Sequence, residues 1–279
     1  MANETTSSTV SELYTEIVAE ALFVASEQSI MRNLVRNYTI AGGGKSVEVP
    51  IYANVSAAAV NEATDLSNTA INPTSVTITA SEVGIMTTLT DLARNSASRN
   101  VAADIGRLFG EAIARKIDAD LSALFSGFST EKGPGAGSEI VVQDLFEAAA
   151  ELRTNNAPGP YYGVFHPKQI FNVKKTLTNT FVGRDTELSN EAMRTGFVGN
   201  IAGVQIFESS NISVDGSDDS IGGVFSQDAL ALAMMQDLKI ESQRDASLRA
   251  DELVATAVFG VSEIHDSYGV KITADTLAA

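Results

Sequence analysis

The run from Ser46 to Phe128 constrains this chain most, because a long extended segment with almost no charge leads directly into one long amphipathic helix. Val47, Val49 and Ile51 alternate with Ser46, Glu48 and Pro50, and Val76 and Ile78 alternate with Thr77 and Thr79, the period of two that marks a half-buried strand. With mostly polar and Ala-rich residues between them, the two strands make an extended hairpin, and an isolated two-stranded hairpin is marginal in water. Something else must cover its apolar face. Beyond it, Val101, Ile105, Leu108, Ala112, Ile113, Ile117, Leu121, Leu124 and Phe128 recur every three or four residues, which predicts a helix over Asn100 to Phe128 with one apolar face. At roughly 1.5 Å per residue it would run about 40 Å, the width of a small domain. Such a helix is a spine.

Ahead of the hairpin, Leu13, Ile17, Ala21, Val24, Ile30 and Leu34 fall near one face, predicting a helical arm that ends before Ala41, where Gly42, Gly43 and Gly44 break it. Its stretch from Glu4 to Glu27 holds acidic residues and no basic one, while Arg32 and Arg36 sit near its end, where a helix dipole favours cations. Ser81 to Leu89 predicts another short strand. Gly127 and the loop Gly133-Pro134-Gly135-Ala136-Gly137 close the spine. Past that loop, helix and strand alternate: a helix over Val141 to Arg153, a strand over Tyr162 to Phe165, a helix opened by Pro167, and a strand over Val204 to Phe207, the pattern of an α/β unit. Leu253 to Val261 and Val270 to Thr273 give strands at the end of the chain.

Composition excludes several classes. With 279 residues, 44% of them hydrophobic, the chain can bury a sizeable core. It has neither Cys nor Trp, so disulfides, zinc thiolates and cysteine nucleophiles are out, as suits synthesis in a reducing cytosol. The polar start, Met1 to Val10, lacks the marks of a secretion signal, and no apolar run approaches the ~18 residues of a membrane span. Against 35 acidic residues stand 19 basic ones, a formal charge of −16 that repels a phosphate backbone. Sequence-reading of DNA is not expected.

No motif carries a catalytic constellation. Gly42-Gly43-Gly44-Lys45-Ser46 has the ending of a phosphate-binding loop, but Thr39 stands where the first glycine belongs, and the loop follows a helix and precedes a strand, the reverse of the required order. A flexible joint explains it better. His166 and His265 are far apart and lack a His-x-x-x-His spacing, so no metal site is expected; His166, before Pro167, fits a turn or the start of a helix. Asp215, Asp218 and Asp219 read as a solvated turn, since they lack the Asp-x-Asp-x-Asp-Gly order of a calcium loop. Asp118 and Asp120, beside Arg115 and Lys116, read as surface ion pairs of the spine. No cofactor is expected.

Arm, glycine joint, hairpin, spine, α/β unit and returning strands occur in the order found in major capsid proteins of tailed bacteriophages, and the chain resembles that family, the Hong Kong 97 fold. The likeness extends to local texture: Val47-Glu48-Val49-Pro50-Ile51, Ser75-Val76-Thr77-Ile78, Asp91-Leu92-Ala93, the stretch Arg244 to Asp251, and Tyr268-Gly269-Val270-Lys271-Ile272. The resemblance implies an α+β fold with an N-terminal arm (1–41), an extended E-loop hairpin (42–89), a peripheral domain carrying the spine (90–135 and 236–279) and an α/β axial domain (136–235). It implies a structural protein, not an enzyme, whose copies form hexamers and pentamers of an icosahedral shell around double-stranded DNA, without sequence-specific binding and with no membrane. Val47, Val49, Ile51, Val76 and Ile78 become the candidate inter-subunit residues. Few residues precede the hairpin, so a separate scaffolding protein is expected, with a portal and a possible decoration protein. The virion is the expected location, after synthesis in the bacterial cytoplasm. The covalent E-loop cross-link of some members is not expected, as no lysine lies between Lys45 and Lys116. Two alternatives stay open: an encapsulin-type nanocompartment shell, and a cytosolic α/β nucleotide-binding enzyme using Gly44-Lys45-Ser46.

Overall fold

Three sheets organise the described residues, and the last third of the chain supplies the longest strands. The computed structural model describes residue 21, residues 29–41, 44–52, 70–96, 101–181 and 199–276, and some positions between 55 and 68.

The first sheet has the order β1-β9-β10-β4, from β1 (Arg36–Thr39), β9 (Leu230–Asp245), β10 (Ala250–Glu263) and β4 (Ser81–Thr90). β1 runs parallel to β9, and the other pairs are antiparallel. The start of β9, Leu230 to Ala233, is buried on both faces, which is why it reads as a continuous apolar run instead of an alternation. Further along, Leu238 and Ile240 point inward while Asp237, Lys239 and Glu241 point to water.

Across one face of this sheet lies the spine, α2 (Val101–Ala123), continued by a 3-10 turn, Leu124–Gly127. A short helix, α1 (Asp91–Ser96), leads to it from β4. The buried row is Phe109, Ile113, Ile117, Leu121 and Phe125, each four residues after the last, packed with Leu232, Leu238, Ile240, Leu253, Ala255 and Phe259. Burying five such side chains, at about 1.5–3 kcal/mol each, makes this the dominant cohesive surface. Leu108 was expected on that row, yet it is 57% exposed. An i,i+4 row drifts around a helix of 3.6 residues per turn, and at this end it passes through Phe109 and leaves Leu108 outside.

The second sheet has the order β11-β8-β5-β7-β6. Its strands are β5 (Tyr161–Phe165), β6 (Asn200–Ile201), β7 (Val204–Glu208), β8 (Asp219–Ser226) and β11 (Gly269–Asp275). β5 and β7 are parallel, and α4 (Pro167–Phe181) lies between them in sequence. Together with α3 (Val142–Thr154), α4 supplies Leu145, Ala148, Leu152, Ile170 and Val173 to a core against Phe165, Val204, Val224 and Ile272. Helix and strand alternate from α3 to β7 as the sequence predicts, while β6, β8 and β11 add antiparallel pairs. At the junction with the spine, Phe128 packs on the bare backbone of Gly269, where an added Cβ would lie 2.1 Å from the ring.

Four boundaries differ from expectation. β11 pairs with β8, so the C-terminal strand joins the second sheet and not the spine's sheet, whereas β9 already enters the spine's sheet at Leu230. Ser81–Thr90 pairs with β10 along its whole length, so the free hairpin ends near Thr79. The arm is not helical up to Ala41: Met31–Asn33 is a 3-10 turn and Arg36–Thr39 is β1, because pairing with β9 outweighs a modest helical pattern. Ala21 is helical and buried; Leu13, Ile17 and Val24 lie outside the described residues.

Candidate assembly surface

The third sheet is the hairpin itself, β2 (Ser46–Ile51) paired antiparallel with β3 (Thr74–Thr79). Its register sets Val47 opposite Ile78 and Val49 opposite Val76, so all the candidate side chains share one face. The backbone N–H of Ala80 donates to the carbonyl of Lys45 at 2.8 Å, closing the base beside the glycine joint. Gly42 and Gly43 lie outside the described residues.

That base already has a partner in its own chain. Val49 and Ile78 are 6% and 1% exposed, packed with Ile40, Ala80, Ala231, Ala233 and Ile264 on the face of the first sheet turned away from the spine. The need for an outside cover therefore does not extend to the whole face, since the sheet supplies one at the base. Ala231 and Ala233 are small enough for the hairpin to lie close, and Gly260 beside them has no side chain at all. A Cβ on Gly260 would stand 2.3 Å from the Thr79 carbonyl oxygen. Val47, opposite Ile78, and Ile51 at the outer end pack partly against the same cluster and Val76 is half-buried, while beyond the paired strands Tyr52, Val55, Val60 and Ile71 are exposed. Ile85 and Met86 on β4, Leu92 on α1 and Leu108 on α2 add further exposed apolar side chains.

The polar groups singled out in the sequence are engaged structurally. His166 accepts from the Lys168 amide at its Nδ1, and His265 lies against the Tyr268 ring at 4.6 Å; burial pushes the pKa of each imidazole down. Asp215 accepts from the amides of Ser217 and Asp219, and Asp219 from that of Gly137, so backbone donors hold this turn in shape. Among the described residues, no group of three or more His, Asp or Glu is placed to hold a metal ion. Likewise, no described helix is long and apolar enough to cross a membrane. On the spine, Lys116 and Asp120 form the expected surface pair at 2.7 Å.

Asp118 corrects the sequence reading. It is 1% exposed, not a surface residue. Its Oδ1 accepts from the Ser29 hydroxyl at 2.7 Å and the Met31 amide at 3.1 Å, its Oδ2 from the Ile30 amide at 3.1 Å, and the Asn211 side chain also donates to it. Burial pushes its pKa up, and those hydrogen bonds oppose the rise. The only sequence signal was position: Asp118 follows Ile117 and falls one turn after Ala114, within the buried arc.

The sequence profile of the phage capsid protein family matches residues 73–272. Solved structures share the fold at low identity. The capsid structure of the cyanophage P-SCSP1u is 20% identical, covers 88% of each chain and has a TM-score of 0.69. For the Mycobacterium phage Che8 the values are 22% identity, 82% of this chain, 84% of that one and a TM-score of 0.64. The capsid of a native GTA particle is 12% identical over 89% and 91% of the two chains, with a TM-score of 0.70. No protein with a curated description matches the sequence.

Proposed function

The chain belongs to the phage capsid protein family, as a structural protein with the α+β fold of major capsids, and from that premise we propose how its copies build a shell. Copies join as hexamers and pentamers of an icosahedral particle that encloses double-stranded DNA without reading its sequence. One observation carries this reading: the paired strands of the hairpin rest on their own subunit, and beyond them Tyr52, Val55, Val60 and Ile71 face solvent. A neighbouring copy offers the complementary cover. Within the candidate set, Val49 and Ile78, with Val47 and Ile51 packed partly beside them, anchor the hairpin to its own sheet, while the half-buried Val76 begins the contact with the neighbour. The net charge of −16 favours a container that does not grip packed DNA.

Under this reading the arm, the hairpin, a peripheral domain of spine and first sheet, and an axial domain of the second sheet with α3 and α4 are the working parts. The protein resides in the virion shell after synthesis in the host cytoplasm, and a separate scaffolding protein and a portal act with it, as does any decoration protein that the particle carries. Expressed protein, imaged by negative stain and sized by light scattering, is expected to give capsomer rings or closed shells. A strictly monomeric species at high concentration, with and without scaffold, overturns the reading.

A further inference from the structure

We propose that Asp118 is a positioning residue that fastens the root of the N-terminal arm to the spine helix, as a latch that opens locally while the rest of the subunit stays folded. The 3-10 turn Met31–Asn33 has Ile30 at its N-cap, and an isoleucine side chain cannot accept the free amides at the start of such a turn. Asp118, 88 residues away in sequence from Ile30, does so instead. It takes two backbone donors and the Ser29 hydroxyl, with Ser29, Met31 and Asp118 all buried. The Asn211 side chain, from the loop between β7 and β8, completes the shell of donors. One carboxylate thus ties the arm, the spine and a loop of the second sheet.

The other ties along the arm root are of a different kind. Arg32 pairs with Asp237 at 3.3 Å and Arg36 pairs with Asp228, all with partly exposed side chains, and such pairs contribute little. β1 is a short edge strand. Met31, Leu34 and Val35 also bury apolar surface in the core beside the spine, but among the polar ties the buried hydrogen bonds to the charged Asp118 are the strong and directional ones. Both carboxylate oxygens face donors, and an amide in the same place would turn an N–H against one of them. From this root the chain passes through β1 and the Ile40 amide bond to the Met234 carbonyl, then directly into the joint of the hairpin. The latch therefore sets where the hairpin starts. Its bearing on shell building rests on the capsid reading above; the docking itself does not.

The test is amide exchange and limited proteolysis on the full-length, unassembled subunit. Asp118→Ala and Asp118→Asn should each speed exchange at Ile30 and Met31 at least tenfold, and expose the arm root to protease, while β9 and β10 keep their protection. Ser29→Ala, which removes one donor, should give a smaller increase at the same two amides. Asp120→Ala, on the exposed side of the same helix, should give none. Unchanged exchange at Ile30 and Met31 in the Asp118 variants overturns the proposal, as does wild-type behaviour of Asp118→Asn, since a neutral acceptor would then suffice. Loss of protection in β9 and β10 together with the arm also overturns it, because Asp118 would then be part of the core and no latch. Particle formation by the wild-type protein is a separate measurement, so the capsid reading and the latch can fail independently.

Discussion

The two faces of the first sheet are built on opposite principles. Toward the spine the sheet presents Leu232, Leu238, Ile240, Leu253 and Phe259, large side chains that interdigitate with Phe109, Ile113, Ile117 and Leu121. Toward the hairpin it presents Ala231, Ala233 and Gly260, which let a backbone come near, with Tyr38 and Val258 only partly buried against them. Cohesion scales with buried apolar surface, so the first face is rigid and costly to open, and the second holds its partner lightly. Within one sheet, the same strands serve as a core on one side and as a seat on the other.

The widest gap between the faces should appear with Ile113→Asp. A charge in the middle of the spine's buried row, with no partner, should cost about 4 kcal/mol, enough to unfold much of the protein. Arg115→Ala, on an exposed position that reaches Glu111 at 3.6 Å, should stay within about 0.5 kcal/mol. Urea midpoints of the two variants decide; equal midpoints would mean that the faces have been assigned wrongly.

Gly260→Ala probes the seat. Crowding the Thr79 carbonyl should cost about 1–3 kcal/mol, but the cost should fall on the hairpin. The expected result is faster proteolysis between Tyr52 and Pro73 with unchanged protection of α2 and β10. A uniform loss of protection across the molecule would show that the seat belongs to the main core.

The smallest effect concerns Glu263, at the end of β10 where the chain leaves the first sheet. Burial pushes its pKa up, and the neighbouring Asp266 adds to the rise. A raised native-state value means that the folded protein binds this proton more tightly than the unfolded chain does. The stabilisation is fully present below about pH 4.3, the unfolded-state value, and is lost as pH climbs through the raised folded value. Glu263→Gln should therefore match the wild type in acid and exceed it modestly near neutrality, as read from midpoints at several pH values. A pH-independent difference would rule this out.

Where sequence was informative, it was so through local periodicity. Alternation at Val47, Val49 and Ile51 and at Val76 and Ile78 was enough to identify the hairpin, and the three- and four-residue spacing after Val101 was enough for the spine. The face of the spine was harder, because nine apolar residues span more than one row and only the packing of Phe109 against the sheet decides that Leu108 is left out. β9 hid behind a continuous apolar run that fits strand or helix equally. For the candidate surface, the alternation identifies an apolar face, but nothing local says that Ala231 and Ala233 would take up half of it. Asp118 was least legible: an acid beside Lys116 and Asp120 reads as solvated until the arm, far away in sequence, brings its amides.

β3 passes into β4 through a single residue, Ala80, so the hairpin and the edge of the first sheet are one strand in mechanical terms. β4 is 10 residues long and paired with β10 throughout. A pull on the hairpin along its axis loads those ladder bonds in shear, all at once, instead of peeling them open one after another. The hairpin, seated on the sheet by its base, thus transmits tension lengthwise as a tether made of the same strand that anchors it.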